Sequence, residues 1–265
     1  MNLVSVFTKT TGVLRHPIYL SSPPSKLKIL QAINFNEAAA NFAKIKVFPG
    51  WSVYFWNRKL KYIDHIAIVP QQRQENLNLY RAKLIHGTPP PIGKAYGPFA
   101  SPIDYSGIRI ASVMDYLSLN PNIYSRIIVG FPSSATKSQI VKASKIAKEA
   151  GGSGLLLNKP ALYSFQILNK FLFVGWFDYK NHNSVKLLIP YFIARKRLGS
   201  MWKHRFTYCG DLVGQIYHTA GIKNLPKAKI LFFSGYRSST FYEWARKNNT
   251  LTQAIIWKEK QPLKF

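Results

Sequence analysis

Three short segments with the alternation of β-strands follow one another between residues 48 and 87, and they constrain the fold more than any other feature. In the first, FPGWSVYFWN, a Pro-Gly turn precedes an alternation of Val53 and Phe55 with Tyr54 and Trp56. Two more strand-like segments, DHIAIVP and RAKLIHGT, follow with a polar loop between them. Strands so close in sequence favour antiparallel pairing. The chain is therefore predicted to contain a mostly antiparallel sheet.

Helices are predicted on both sides of these strands in the sequence. The clearest is SSATKSQIVKASKIAKEAGG, which has Ser or Thr at its start, an apolar stripe and glycines at its end. The other predicted helices are KLKILQAINFNEAAANFAKI, ASVMDYLSLN, CGDLVGQIYHTAG and STFYEWARKN, and the other predicted strands are YSRIIVGF, AKILFF and TQAIIWK. The Pro- and Gly-rich segment before ASVMDYLSLN is predicted as a loop, and residues 155–200 show no clear period.

The predicted fold class is α+β, in which an antiparallel sheet packs with helices. The chain has 265 residues, of which 47% are hydrophobic, and this is enough for a sizeable core. Residues 1–45 are predicted to form an N-terminal leader and helix. Residues 46–265 are predicted to form a single globular domain.

The net charge of +27 indicates an anionic partner. Lys and Arg number 37 against only 10 Asp and Glu, and such a charge raises the rate of encounter with polyanions. The candidates are nucleic acid, an anionic membrane surface, a cell-wall polymer and an acidic protein. No signal peptide is predicted at the N-terminus, and polar residues interrupt the most apolar window, residues 160–177. The protein is therefore expected to stay in the cytoplasm or to leave it without a signal peptide.

The only cysteine, Cys209, is predicted to lie in the first turn of a helix. At that position the helix dipole and free backbone N–H groups favour a thiolate and can hold an oxyanion. Gly210 is expected to leave room for a substrate, and Tyr208 and Asp211 to line the cleft. The alternatives are that Cys209 is a small core residue and that Asp211 is an ordinary helix N-terminal carboxylate. A single cysteine excludes an intrachain disulfide, and the scarcity of carboxylates argues against a metal site.

His65 and His86 are the candidate base and its orienting partner. If His65 pairs with His86 across an antiparallel hairpin, both side chains lie on one face with small and apolar neighbours. Their Cβ atoms would then be about 5 Å apart. The alternative is a pair of unrelated surface histidines. His204 and His218 are given no catalytic role, and Asp64 is expected to point to the opposite face from His65.

The segments FPGWSVYFWNRKLKYIDHIAIV and KLIHGT resemble the Pro-Gly turn, hydrophobic strand and histidine motifs of NlpC-type papain-like cell-wall endopeptidases. The cysteine, in YCGDLVGQIYHTAGI, comes after the histidines. This order resembles the circularly permuted branch, which includes YiiX/YebB-like hydrolases and some antibacterial effectors of type VI secretion. The resemblance covers residues 47–257. The sequence departs from the family at Trp51, which stands in place of an Asp, and at Gly210-Asp211, which replaces Ser-Glu.

The resemblance implies a permuted papain-like fold with a Cys209, His65 and His86 triad and Trp51 among the substrate-binding residues. It implies a cysteine peptidase that cuts amide bonds in peptidoglycan stem peptides without a cofactor or metal. Such a toxin would be exported by a secretion machine, act in the target-cell periplasm and be neutralised by an acidic immunity protein.

Two alternatives remain open at the level of sequence. The first keeps the catalytic fold but changes the substrate to give a protease, a deamidase or a lipid acyl hydrolase, with the aromatic region 155–202 docking on a membrane surface. The second is a non-catalytic nucleic-acid-binding protein that uses the basic runs IARKRLG and MWKHR. The spread of basic residues along the whole chain disfavours the second alternative.

Overall fold

The computed structural model describes residues 27–72, 77–87, 108–119, 122–152, 209–230 and 233–258. The strands in these ranges are β1 (Lys28–Ala32), β2 (Ser52–Asn57), β3 (Tyr62–Ile68), β4 (Lys83–Gly87), β5 (Ile108–Ser112), β6 (Tyr124–Gly130), β7 (Ala228–Ile230), β8 (Phe233–Gly235) and β9 (Leu251–Trp257). The helices are α1 (Phe35–Phe42), α2 (Val113–Leu119), α3 (Lys137–Gly152), α4 (Cys209–Thr219) and α5 (Ser238–Lys247). The predicted region 155–200 and Tyr208 lie outside the described residues.

Seven strands form one mixed sheet in the order β1-β9-β6-β2-β3-β4-β5. Strand β1 runs parallel to β9, and the other five pairings are antiparallel. Strands β7 and β8 form a separate two-stranded sheet. The predicted mixture of helices with a mostly antiparallel sheet is confirmed for the described residues. Because β1 and α1 share a core with β9, residues 28–42 are part of the same folded unit as the main sheet.

Neighbouring side chains on a strand point to opposite faces of the sheet. Helices cover both faces, so each face has a core of its own. One face packs against α1 and α2, and Phe55 and Leu84 lie in this core. The other face packs against α3, α4 and α5, and Ile66, Ile68 and Ile85 lie in that core. This separation of the two faces decides which of the candidate site residues can meet.

The first predicted helix is wrong at its N-terminal half. Residues 28–32 form β1, where Ile29 and Leu30 pair with β9 instead of continuing a helix. Helix α1 begins at Phe35, after the side chain of Asn34 accepts a hydrogen bond of 3.0 Å from the Glu37 N–H. An N-cap of this kind starts a helix because it satisfies an otherwise free backbone donor.

Two other predictions differ from the structure. The segment predicted to enter a helix at Ala111 first completes β5, and α2 starts only at Val113. Ser112 and Asp115 fix this boundary, because each side chain accepts a 3.0 Å hydrogen bond from the backbone N–H of the other. AKILFF, predicted as one strand, contributes to both β7 and β8. The long helix α3 is confirmed.

Candidate functional site

His65 and His86 form a hydrogen-bonded pair on β3 and β4. The Nε2 atom of His65 lies 2.9 Å from the Nδ1 atom of His86. The predicted cross-strand register is wrong by two positions, because Ala67 pairs with His86. A shift of two residues preserves the face on which a side chain lies. The prediction that the two histidines are close neighbours on one face is therefore confirmed.

Aromatic rings enclose the histidine pair. Tyr116 of α2 stacks on both imidazoles, at centroid distances of 4.4 Å from His65 and 4.5 Å from His86. The ring of Phe55 meets that of His65 edge to face at 5.1 Å. The Tyr116 hydroxyl is 3.1 Å from the hydroxyl of Tyr124. His65 is only 5% exposed and His86 is fully buried, so the pair lies under α2 within the core.

Burial determines the charge state of His65. Desolvation lowers its pKa well below the usual value, and repulsion from His86 lowers it further. His65 is therefore a neutral imidazole at neutral pH. The hydrogen bond between the two rings needs one nitrogen to donate and the other to accept. When the Nε2–H of His65 donates to Nδ1 of His86, Nδ1 of neutral His65 keeps its lone pair and is the nitrogen that can accept a proton.

Cys209 is the first residue of α4, and its thiol meets the backbone of β3. The thiol donates to the carbonyl oxygen of Asp64 at 3.7 Å, and the Ser238 hydroxyl lies 3.2 Å from the sulfur. With the thiol proton directed at Asp64, the Ser238 hydroxyl is the donor to the sulfur. The thiol belongs to the first residue of α4. It thus contacts both the residue that precedes His65 and the first residue of α5.

The structure does not bring the thiol into contact with either histidine. Cys209 lies in the core between the sheet and α3, α4 and α5. The rings around His65, by contrast, are those of Phe55 and Tyr116, which belong to the core on the other face. Among the described residues, the groups that hydrogen-bond the thiol are the Asp64 carbonyl, the Ser238 hydroxyl and the backbone of Ile66 and Gly210. The triad inferred from the sequence is therefore not assembled in this arrangement: the histidine pair lies on one face of the sheet, and the thiol at the start of α4 meets the backbone of β3 from the other face.

Burial also outweighs the helix-terminus effect expected for Cys209. Desolvation raises the pKa of the thiol above its usual value, while the hydrogen bond from Ser238 lowers it in part. The expected thiolate is thus a protonated thiol in this arrangement, because the cost of burying a charge exceeds the stabilisation from the helix start.

Asp64 occupies a bulge in β3 and was not selected from the sequence. Phe55 pairs with His65 while Trp56 pairs with Ile63, so Asp64 is the extra residue. Its carboxylate accepts a 2.6 Å hydrogen bond from the Asn57 amide. Burial raises the Asp64 pKa to about 7, against the opposing effect of hydrogen bonds that include those from Asn57 and Tyr124. The sequence signal for this site was an acidic residue directly before a buried histidine.

Gly210 makes room for the protein's own backbone. A Cβ atom at this position would lie 2.8 Å from the Tyr236 carbonyl oxygen and 2.9 Å from the Ser238 nitrogen. The expectation that Gly210 leaves space for a substrate is therefore corrected, because the chain leading into α5 fills that space. Ser238, which this close approach brings to the thiol, was also missed from the sequence. Its signal was a serine at the start of an amphipathic helix.

The other residues assigned to substrate binding are also interior. Asp211 is fully buried and its carboxylate accepts a hydrogen bond from the Gln215 amide. Trp51 is 3% exposed and packs between Phe48 and Phe131, at centroid distances of 4.7 Å and 5.6 Å. Asp211 and Trp51 are thus corrected to core positions, since neither presents a surface to a substrate here.

No protein-family model, curated protein or solved structure matches the chain. Within the described ranges, no group of three or more histidine, cysteine, aspartate or glutamate side chains is placed to hold a metal ion. None of the helices in the described part of the chain is both long and apolar enough to cross a bilayer.

Proposed function

We propose that the protein is a cysteine hydrolase that cleaves amide bonds, with Cys209 as the nucleophile and His65 as the base. The observation that carries the proposal is the position of the thiol on the backbone carbonyl of Asp64, one residue from the buried pair of His65 and His86. A buried cysteine with a purely structural role does not require a hydrogen-bonded histidine pair on the strands that it packs against. A cysteine hydrolase needs a base and a group that orients the base.

The roles follow from the hydrogen bonds. His86 holds Nε2 of His65 and leaves Nδ1 to accept the thiol proton as the sulfur attacks the substrate carbonyl carbon. The resulting imidazolium gives that proton to the leaving amine, and a thioester forms between the acyl group and Cys209. Water then loses a proton to His65 as it attacks the thioester, and the thiol and a carboxylic acid are released. The free N–H groups at the start of α4 are available to the developing oxyanion.

The proposal requires a rearrangement of β3 as well as of the cysteine side chain, because the thiol and the His65 ring lie on opposite faces of the sheet. The sulfur must exchange its contacts with Ser238 and Asp64 for a hydrogen bond with Nδ1 of His65. In the arrangement described above both partners are neutral, so the resting site is a protonated thiol and an imidazole that becomes reactive when the two approach. We assign the approach of the thiol and the imidazole to substrate binding, because binding can supply the energy needed to move buried groups.

We propose peptidoglycan stem peptides as the substrate, and a permuted papain-like arrangement as the fold. The support is the order of the elements, with the histidine strands β3 and β4 before the cysteine helix α4, and the resemblance of their motifs to cell-wall endopeptidases. The charge of +27 suits an enzyme that stays on an anionic envelope. A secreted antibacterial toxin that works in the periplasm, with an acidic immunity protein, is consistent with this charge.

The direct test is digestion of purified peptidoglycan, read by mass spectrometry of the released fragments. Wild type, Cys209→Ala and His65→Ala are compared, with His218→Ala as the control because His218 is an exposed histidine at the far end of α4. New stem-peptide fragments from wild type and His218→Ala alone would support the proposal. Equal fragment patterns from wild type and Cys209→Ala, or no fragments from any of the four, would overturn peptidoglycan hydrolysis by this thiol.

A further inference from the structure

The outward side of α3 is a continuous lysine surface. Lys137, Lys142, Lys145 and Lys148 are all exposed. The last three are spaced by three residues, which is about 4.5 Å of helix rise between successive Cα atoms. The opposite side of α3 carries the small and apolar residues that pack on the sheet. The lysine surface is thus held in a fixed orientation by the core.

This positive charge is not neutralised within the described residues. The ion pairs found there are Lys83 with Asp115 and Arg246 with Glu243, and none involves a lysine of α3. The first turn of α3 contains no acidic residue, and Glu149 is the only carboxylate on the helix. Unpaired lysines that are close together repel one another, and this repulsion is relieved when a polyanion binds.

The surface extends beyond α3 and is concave. A shallow depression is lined by Thr136, Lys137, Ser138, Val141, Lys142 and Lys145. The Gln139 amide donates a 2.6 Å hydrogen bond to the carbonyl oxygen of Gly221, which brings the turn after α4 against the start of α3. His218 and Lys223 are exposed on either side of that turn. Lysine and hydroxyl groups thus line a shallow concave surface that is open to solvent.

The chemistry of this surface favours a flexible, hydrated polyanion. Among the described residues that form it, the surface has no aromatic side chain on which nucleic-acid bases could stack. Those residues also include no exposed large apolar side chain of the kind with which an interfacial helix enters a bilayer. Lysine ammonium groups are strongly hydrated point charges on flexible stems, which suits a flexible polymer with repeated anionic groups.

We propose that this basic face, defined as Lys137, Lys142, Lys145, Lys148 and Lys223 with the depression between them, binds the carboxylate groups of the cell-wall polymer. The choice of polymer rests on the proposed function, while the basic face itself rests on the exposure and spacing of its lysines. The face lies on the same side of the sheet as Cys209 and away from the histidine pair. It therefore retains the wall polymer on the helical layer that contains the nucleophile.

The test measures binding to purified sacculi by co-sedimentation at several salt concentrations, in a Cys209→Ala background so that no cleavage occurs. Lys142→Gln, Lys145→Gln and Lys148→Gln are combined in one variant. The matched control removes the same charge near β1 and α1, with Lys28→Gln, Lys44→Gln and Lys46→Gln, three exposed lysines that form no ion pair with any described residue. Thermal unfolding of both variants verifies that each is folded.

We expect the basic-face variant to bind sacculi about tenfold more weakly near physiological salt. The number of counterions released on binding, read from the slope of log affinity against log salt, should fall by about 2 to 3, since each lost contact releases roughly one ion fewer. The control should change binding less than twofold.

Equal losses in the two variants would overturn the proposal, because binding would then follow total charge. A larger effect on duplex DNA or on phosphatidylglycerol vesicles than on sacculi would overturn the choice of polymer. If binding depends on the basic face but no wall fragment is ever released, the proposed hydrolysis fails while the basic face stands.

Discussion

The Nε2 atom of His65 and the Nδ1 atom of His86 share a 2.9 Å hydrogen bond in the interior of the protein, with Tyr116 stacked across both rings. A buried polar pair is expensive unless both partners are present, because removing one leaves the other without its hydrogen bond. This relationship makes the pair sensitive to substitution and gives His65 a fixed orientation.

His86→Ala is expected to lower the free energy of unfolding by about 1–3 kcal/mol, because it leaves Nε2 of His65 buried without its partner. His86→Asn retains a polar group and should lose less stability. Urea denaturation measures both effects. If His86 also orients the base, kcat on a wall substrate falls more than stability alone explains, and His86→Asn recovers part of it. Equal stability of His86→Ala and wild type would contradict the buried bond.

The raised Asp64 pKa of about 7 predicts a specific pH dependence of stability. A carboxyl whose pKa is higher in the folded protein stabilises it most when protonated, so this contribution is complete below the unfolded value near pH 4 and is lost as the pH rises to about 7. Asp64→Asn removes the titration. The difference in unfolding free energy between Asp64→Asn and wild type should therefore grow in favour of the variant from pH 4 to pH 7 and then stay constant. A difference that does not vary with pH would refute the shift.

The lowered pKa of His65 predicts the opposite pH dependence of stability. Its pKa is lowered in the folded state, so its neutral form is favoured and the folded protein binds fewer protons than the unfolded chain. The penalty for burying this histidine in its charged form appears as the pH falls below the unfolded value of about 6.5. NMR titration of the imidazole signals measures this directly. A His65 signal that titrates near the unfolded value of about 6.5 would show that His65 is solvated.

Ser238→Ala is expected to make Cys209 less reactive. The Ser238 hydroxyl donates to the sulfur and lowers the pKa of the thiol, so its loss should raise that pKa and reduce the thiolate fraction near neutral pH. The rate of alkylation by iodoacetamide as a function of pH is the measurement. Ser239→Ala is the matched control, since Ser239 is the next residue of α5. Unchanged alkylation profiles in both variants would argue against the 3.2 Å contact.

Gly210→Ala is expected to destabilise the protein by about 1–3 kcal/mol through steric crowding. The added Cβ would meet backbone atoms at Tyr236 and Ser238, and backbone atoms cannot move aside as a flexible side chain can. Thr219→Ala, at an exposed position near the other end of α4, should have little effect. Denaturant unfolding compares the two variants, and equal stabilities would show that the backbone at the start of α5 can move to accommodate the added methyl group.

The sequence predicted those parts of the fold that depend on local patterns. The alternation in β2, the capped and amphipathic α3 and the shared face of His65 and His86 all follow from residue periodicity, which a shift of two in register leaves unchanged. The first strand was missed because its pairing with β9 joins residues more than 200 positions apart, and no local signal reports such a partner.

The site was harder to predict because it depends on packing between layers. The helix start at Cys209 suggested an exposed and reactive thiol, but burial controls its pKa. Trp51 was assigned to substrate binding from the family resemblance, and Gly210 and Asp211 from their positions beside Cys209, but all three are buried in the core. The bulge that places Asp64 beside Asn57 is a register irregularity, and periodicity assumes that such irregularities are absent.

The position of β1 in the sheet has a consequence for the order of folding during synthesis. Among the described strands, β1 has a single neighbour in the main sheet, β9, and each pairing joins residues more than 200 positions apart. A ribosome makes the chain from its N-terminus, so β1 is synthesised long before its partner. This edge of the sheet can therefore close only after the more than 200 residues that separate the two strands have been made. A premature stop before Leu251 would remove two strands from the sheet at once.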